Sequence, residues 1–241
     1  MKLGALFSGG KDSTFALYKA AKKDDVVCLI SLISKNPESY MFHTPNIHLV
    51  ELQAESIGLP LILEETEGKK EEELKDLKKA IKKAKTKYKI EGIVTGAFAS
   101  NYQKERIQNI CDELSLECIS PLWSENPEIL FREMIDNGFE IILSSISAMG
   151  FDESWLGRVL SDKDIDQLVK LNKKVGIHIA FEGGEAESLV LKCPIFNQRI
   201  KIVEAEKKME NEHTGIYNIT KAELEQNQEA PVISPVFPKD S

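Results

Sequence analysis

Six residues, Ser8-Gly9-Gly10-Lys11-Asp12-Ser13, stand between an apolar run, Leu3-Gly4-Ala5-Leu6-Phe7, and a helical pattern opening at Thr14-Phe15-Ala16-Leu17-Tyr18. A strand that turns on two glycines straight into a helix builds an anion site. Backbone without a Cβ approaches an oxyanion closely, and the orphan N–H groups of the first helical turn point at it. The positive end of the helix dipole favours the same charge. Ser8 and Ser13 add hydroxyls, and Lys11 adds a mobile cation. Asp12 is the odd member, because a carboxylate beside a phosphate is repulsive unless it holds Mg2+ or caps the helix. The spacing is neither G-x-x-x-x-G-K-[ST] nor G-x-G-x-x-G, which disfavours a P-loop or a dinucleotide fold.

The rest of the chain supplies the sheet that such a loop needs. Short apolar runs alternate with amphipathic stretches through residue 146, the signature of βαβ units around a parallel sheet. Strands are expected near 2–7, 26–34, 59–64, 92–96, 117–119 and 140–146, with helices near 10–23, 44–57, 69–88, 101–114 and 126–137. Continuous apolar strands such as Val26-Val27-Cys28-Leu29-Ile30 suit a sheet covered on both faces. The expected fold is therefore α/β, an open and mostly parallel sheet with helices on both faces. After residue 147 a loop with Gly150 and Gly157, a helix near 162–173 and apolar segments around 188–192 and 195–203 predict a smaller C-terminal α+β domain. The expected division is 1–146 for the sheet domain that carries the glycine loop, 147–228 for the smaller domain and 229–241 for an irregular tail with Pro231, Pro235 and Pro238.

Composition excludes several classes. Lys plus Arg total 31 against 39 acids, a net charge of −8 that repels phosphate backbones, so no nucleic-acid partner is expected. No stretch approaches the roughly 20 apolar residues of a membrane span, and the first residues lack a signal-peptide h-region, so a cytoplasmic protein without a membrane partner is expected. Cys28, Cys111, Cys118 and Cys193 form no C-x-x-C pair and are read as small buried hydrophobes. Only four basic residues are arginine and 28 acids are glutamate, a Lys/Glu bias that resembles heat-adapted proteins. The lysine-rich stretch Lys69 to Lys89 reads as a solvated helix face held by i,i+4 pairs.

Other residues are singled out by position. His43 falls just past the second strand, at the sheet edge where open α/β sheets bind ligands. Gly96 and Ala97 follow the fourth strand and would let adenine or ribose lie against backbone. Tyr102, Gln103 and Arg106 fall at i, i+1 and i+4, so Tyr102 and Arg106 share a helix face, and Arg106 could clamp a phosphate or carboxylate bidentately. Glu182-Gly183-Gly184-Glu185-Ala186-Glu187-Ser188 sets three carboxylates around two glycines, which repel one another unless Mg2+ or a cationic substrate sits among them.

The Ser8–Ser13 segment resembles the PP-loop of the N-type ATP pyrophosphatases, which cleave ATP between the α and β phosphates on a HUP-like sheet. With it, Ser39-Tyr40-Met41-Phe42-His43, Thr95-Gly96-Ala97-Phe98-Ala99-Ser100, Tyr102-Gln103-Lys104-Glu105-Arg106, Pro121-Leu122-Trp123, Asp152-Glu153-Ser154-Trp155-Leu156-Gly157-Arg158 and Glu182 to Ser188 resemble the diphthine–ammonia ligase family. The match departs at Phe181, where the family has a small residue, and at Ala186 and Ser188, where it has an aromatic and a threonine. The resemblance implies ATP-dependent amidation of the diphthine carboxylate on elongation factor 2, with free ammonia as nitrogen source and Mg2+ as cofactor. It implies catalytic roles for Lys11 and Asp12, the latter on the metal. Ser8, Gly9, Gly10, Lys11, Asp12, Ser13, Gly96, Ala97 and Arg106 would face ATP. His43, Tyr102, Gln103, Trp155, Arg158, Glu182, Gly183, Gly184, Glu185 and Glu187 would face the acceptor, whose trimethylammonium would rest on carboxylates and an aromatic face such as Trp155 or Trp123. A homodimer is compatible with this reading. The competing readings are a tRNA-modifying relative, against which the scattered cysteines and the charge of −8 weigh, and a sensor that binds ATP without turning it over.

Overall fold

A computed structural model describes residues 1–35, 45–69 and 72–226. His43 and the expected tail at 229–241 lie outside the described residues.

The chain runs β1 (Lys2–Leu6), α1 (Lys11–Ala21), β2 (Asp25–Ser34), α2 (Val50–Ile57), β3 (Leu61–Thr66), α3 (Glu72–Tyr88), β4 (Gly92–Val94), α4 (Asn101–Glu113) and β5 (Glu117–Ile119). These five strands form one parallel sheet in the order β3-β2-β1-β4-β5. β1 and β2 are apolar almost throughout, as strands covered on both faces must be. Leu77, Ala80 and Ile81 of α3 and Ile107 and Cys111 of α4 cover one face with Ile30 and Ile93. Phe15 and Leu17 of α1 and Val50 and Ala54 of α2 cover the other. The order reverses between β1 and β4, so the connections leaving their C-terminal ends diverge and leave a crevice, where open α/β sheets bind ligands.

The remaining elements are α5 (Pro127–Asp136), β6 (Glu140–Ser147), α6 (Asp162–Val175), β7 (Ala186–Lys192), β8 (Gln198–Asn211) and β9 (Thr214–Gln226). Asn126 caps α5 by accepting from the N–H groups of Glu128 and Ile129 at 3.0 and 3.1 Å, ahead of Pro127 in the first turn. Ser161 and Asp164 form a capping box on α6, which stops at Gly176 in the left-handed region. β6 differs from expectation. It pairs antiparallel with β7 and β9 in a second sheet of order β7-β6-β9-β8, not with β5. Its run Ile141-Ile142-Leu143 is fully buried in the core shared by the two sheets, and that burial produces the same apolar signature as a parallel strand.

The core beneath α1 continues unbroken into the second sheet, from Leu3 and Phe15 through Phe131 and Leu143 to Ile200 and Ile219. Hydrogen bonds stitch the two sheets as well. Val190 N–H donates to the Gly9 carbonyl at 3.0 Å, and the buried Gln53 amide bridges the carbonyls of Gly9 (3.1 Å) and Val190 (2.8 Å). The lysines of α3 point outward; Lys79 and Lys83 both pair with Glu64, and Lys78 pairs with Glu113. All four cysteines are free, and Cys28, Cys111 and Cys193 are buried. Among the described residues no helix is long and apolar enough to cross a membrane.

Candidate active site

The loop after β1 is held from behind so that its front is left open. Gly9 adopts φ +77°, and a Cβ there would come within 2.0 Å of the Gln53 amide oxygen. Only glycine fits. Ser8 N–H donates to Ser13 Oγ at 3.2 Å, and Ser13 Oγ donates back to the Gly10 carbonyl at 3.2 Å, which closes the turn. Gly10 starts α1 without a side-chain cap, so the first turn keeps donors for an anion. One of those donors, Lys11 N–H, is taken at 3.1 Å by Ser188 Oγ of β7.

In front of the loop lies a cleft of about 670 Å³. Leu6, Ile30, Leu32, Leu77 and Ile107 line it with apolar side chains, and Thr95, Gly96, Ala97, Ser100 and Gln103 contribute the turn between β4 and α4. The 180–188 segment completes the lining with Ala180 to Gly184 and Ala186 to Ser188. Among the described residues that line it, Lys11 is the only basic side chain, against Asp12, Glu182 and Glu187.

Lys11 is 3% exposed. Its ammonium donates to Asp12 Oδ2 and to the Ala180 carbonyl, both at 2.7 Å, and stands 5.0 Å from the centre of the Phe181 ring and 5.8 Å from that of Phe131. Asp12 Oδ1 is buried and accepts no hydrogen bond. A hard cation that keeps several waters and takes one or two carboxylates beside phosphate oxygens fits that bare oxygen. Among the described residues, however, no three His, Cys, Asp or Glu side chains converge as a metal cage.

The acidic turn divides its carboxylates. Glu185 faces back into the turn and accepts from the N–H groups of His178 (2.6 Å) and Gly183 (2.9 Å), so it shapes the loop and does not line the cleft. Glu182 and Glu187 face the cleft. Loss of water, then the neighbouring Asp12 charge, raises the Glu182 carboxyl. Burial pushes Glu187 up to about 7, against the pull of Lys11. Unfolding returns Glu187 to an ordinary carboxyl near 4.5. Between those values the folded chain carries a proton that the unfolded chain has released, so this group's contribution is intact below pH 4.5 and is lost as pH rises through 7. Glu187→Gln should therefore gain stability relative to the parent as pH rises from 5 to 8, by on the order of 2 kcal/mol. Thermal melts of the two proteins across that range check it, and parallel pH profiles would refute it.

Several expected site residues lie elsewhere. The Arg106 guanidinium stacks 3.4 Å over the Tyr102 ring, and Arg106 lines a separate depression with Leu74, Lys78 and Glu105. The two share a helix face, but that face turns toward α3. Trp155 is 4% exposed and packs edge-on against Phe151 at 5.1 Å, while Arg158 covers its face at 4.3 Å and pairs with Asp164 at 2.7 Å. The Trp123 ring is covered by Lys104 at 3.9 Å. Neither tryptophan lines the cleft. Gln53, Ser188 and Phe181 are the site residues that sequence reasoning did not assign. Gln53 carried a readable signal, a polar residue on the buried face of α2 beside Val50, Ala54 and Ile57.

Comparison with known proteins places this site in a family. The diphthamide synthase N-terminal domain matches residues 1–118 and the diphthamide synthase C-terminal domain matches residues 126–224. The break between them falls before α5 and β6, in keeping with β6 belonging to the second sheet. A protein named diphthine–ammonia ligase from Rattus norvegicus is 36% identical over 222 residues, 84% of this chain and 83% of that protein. The Homo sapiens protein of that name is 34% identical over 226 residues, 86% of this chain and 84% of its own length. The Saccharomyces cerevisiae protein is 31% identical over 230 residues but is much longer, so the match spans 33% of it. A solved structure of a predicted subunit of tRNA methyltransferase from Methanocaldococcus jannaschii aligns over 80% of this chain and 97% of its own at 19% identity and a TM-score of 0.41, too distant to carry an argument. On the two domain matches and the full-length relatives, the chain belongs to the diphthamide synthase family.

Proposed function

We propose that this chain amidates the carboxylate of diphthine on elongation factor 2 in the cytoplasm, using ATP and free ammonia and releasing AMP and pyrophosphate. One observation carries the reading beyond the family name: the glycine loop and the acidic 182–188 turn line one cleft, so an anion site and a cation-attracting site meet. The parallel sheet contributes the first and the antiparallel sheet the second.

The acceptor carboxylate attacks the α-phosphorus, the bond to the β-phosphate breaks, and pyrophosphate departs with the electron pair. Ammonia then attacks the acyl carbon of the acyl-adenylate, AMP leaves, and one proton is released. Such chemistry needs positioning and neutralised charge more than a protein nucleophile. Ser8, Gly9, Gly10, Ser13 and the Lys11 ammonium hold the phosphates. Gly96 and Ala97 put bare backbone beside the sugar, and Leu6, Ile30 and Leu77 give the base an apolar wall. Asp12, whose buried Oδ1 has no hydrogen-bond partner, would hold Mg2+, which when bound would offset phosphate charge. Glu182 and Glu187 draw the acceptor's quaternary ammonium, and Gln103 faces the same space.

The test uses purified full-length protein with diphthine-bearing elongation factor 2, ATP and ammonium. Mass spectrometry should find the carboxyl-to-amide mass change on the factor, with one AMP per amide. Nucleotide binding without AMP formation would overturn the reading and favour an ATP sensor.

A further inference from the structure

We propose that the Phe181 ring, which lines the cleft together with Glu182 and Glu187, is the seat of the acceptor's quaternary ammonium, and that the Lys11 ammonium fills that seat until a nucleotide's phosphates draw it away. Nucleotide therefore binds before acceptor. The inference rests on the amidation reading and adds an order of binding and a specificity residue to it.

Three features carry it. First, Phe181 is the aromatic side chain of the acidic segment that lines the cleft, whereas Trp155 and Trp123 are each covered by another residue's cation. Phe131 at 6.0 Å and Phe151 at 6.1 Å hold its ring edge-on, and its backbone sits at φ +67°, a conformation that a bulky side chain rarely adopts. Strain of this kind persists where the surroundings over-determine it, and it concentrates at ligand sites.

Second, the ring already carries a cation. Lys11 stands 5.0 Å from its centre, and the ring is 6% exposed. Quaternary ammonium and lysine ammonium are recognised by the same aromatic face and cannot share it. Third, Lys11 is the only basic side chain among the described lining residues and belongs to the phosphate loop. Its backbone is pinned by Ser188, but its four-carbon stem is flexible and its head is a point charge suited to phosphate. When that head moves to phosphate, the ring is uncovered and Glu182 and Glu187 lose a nearby counter-charge. Both changes favour an incoming cation, and linkage requires the acceptor to tighten nucleotide by the same factor.

The experiment measures equilibrium binding of the diphthine-bearing factor to the full chain, with and without a non-hydrolysable α,β-methylene ATP analogue and Mg2+. The expected result is binding about tenfold tighter with the analogue, an advantage that Phe181→Leu abolishes and Phe181→Tyr retains. Tetramethylammonium should compete with the acceptor only when the analogue is present. Equal acceptor affinity with and without analogue, or Phe181→Leu matching the parent, would overturn the proposal. If Phe181→Leu fails to fold, the nucleotide dependence of the parent and of Phe181→Tyr still decides. Amide formation by the parent is assayed on the same samples, so a failure of the amidation reading is seen separately from a failure of the seat.

Discussion

Lys11→Ala should lower kcat for amide formation by about a thousandfold, the upper range for deleting one preorganised donor at a developing charge. The size of the effect follows from the cleft's charge. Lys11 is the only basic side chain among the described lining residues, and three carboxylates, Asp12, Glu182 and Glu187, line the same cleft. Without it, departing pyrophosphate meets loop N–H groups and hydroxyls but no protein cation, while Asp12 loses its partner at 2.7 Å. Arginine is no substitute. The role of Lys11 is that of a point charge that donates to Asp12 and the Ala180 carbonyl, whereas a guanidinium presents its donors in a fixed planar fork. The check is AMP release and amide formation under saturating ATP, with circular dichroism to show that the variant is folded. Retention of more than a tenth of kcat would mean that the backbone alone manages the phosphates.

The loop that opens the chain was readable because its chemistry is local. Strand, Gly-Gly turn and helix start are adjacent in sequence, and the parallel strands β1 to β5 follow from apolar runs that need no partner to be recognised. The errors occur where a partner decides. Ile141-Ile142-Leu143 looks the same beside a parallel neighbour as beside β7 and β9, since burial on both faces sets the pattern and strand direction does not. The β8–β9 ribbon escaped because much of it faces water and is rich in Lys and Glu, as in Glu204 to Glu210, with full burial kept at Ile200 and Ile219. In α4, the spacing of Tyr102 and Arg106 gave their shared helix face but neither their stacking nor the direction of that face. Ile107, Ile110 and Cys111 turn inward and carry Gln103, one helical turn before Ile107, to the cleft; Arg106 is rotated toward α3. The same limit applies to Trp155. Its aromatic character is in the sequence, but only the fold shows Arg158 lying on it.

Gly96→Ala should raise KM for ATP about a hundredfold, although residue 96 bears no functional group. Gly96 follows β4 at the switch point and backs directly onto the first turn of α1. An added Cβ would lie 2.7 Å from Ser13 N and 2.9 Å from both Asp12 C and Ser13 Cα. All three are backbone atoms, so no side-chain rotation relieves the clash, and either the loop or the β4–α4 turn must shift. A displacement on the scale of 1 Å at phosphate-binding N–H groups costs about two orders of magnitude, and overpacking of a close backbone approach destabilises by roughly 1–3 kcal/mol. Gly138→Ala separates these effects. Gly138 has a positive φ, +77°, which Gly96 lacks, and there an added Cβ meets nothing within 4 Å and the residue is exposed beyond α5. That variant should lose about 1 kcal/mol of stability through backbone strain alone and keep its KM for ATP. Thermal melts and initial-rate kinetics on both variants make the comparison. A Gly96→Ala protein with the parent's KM would show that α1 and the β4–α4 turn move independently, which removes the basis for treating them as one rigid phosphate cradle.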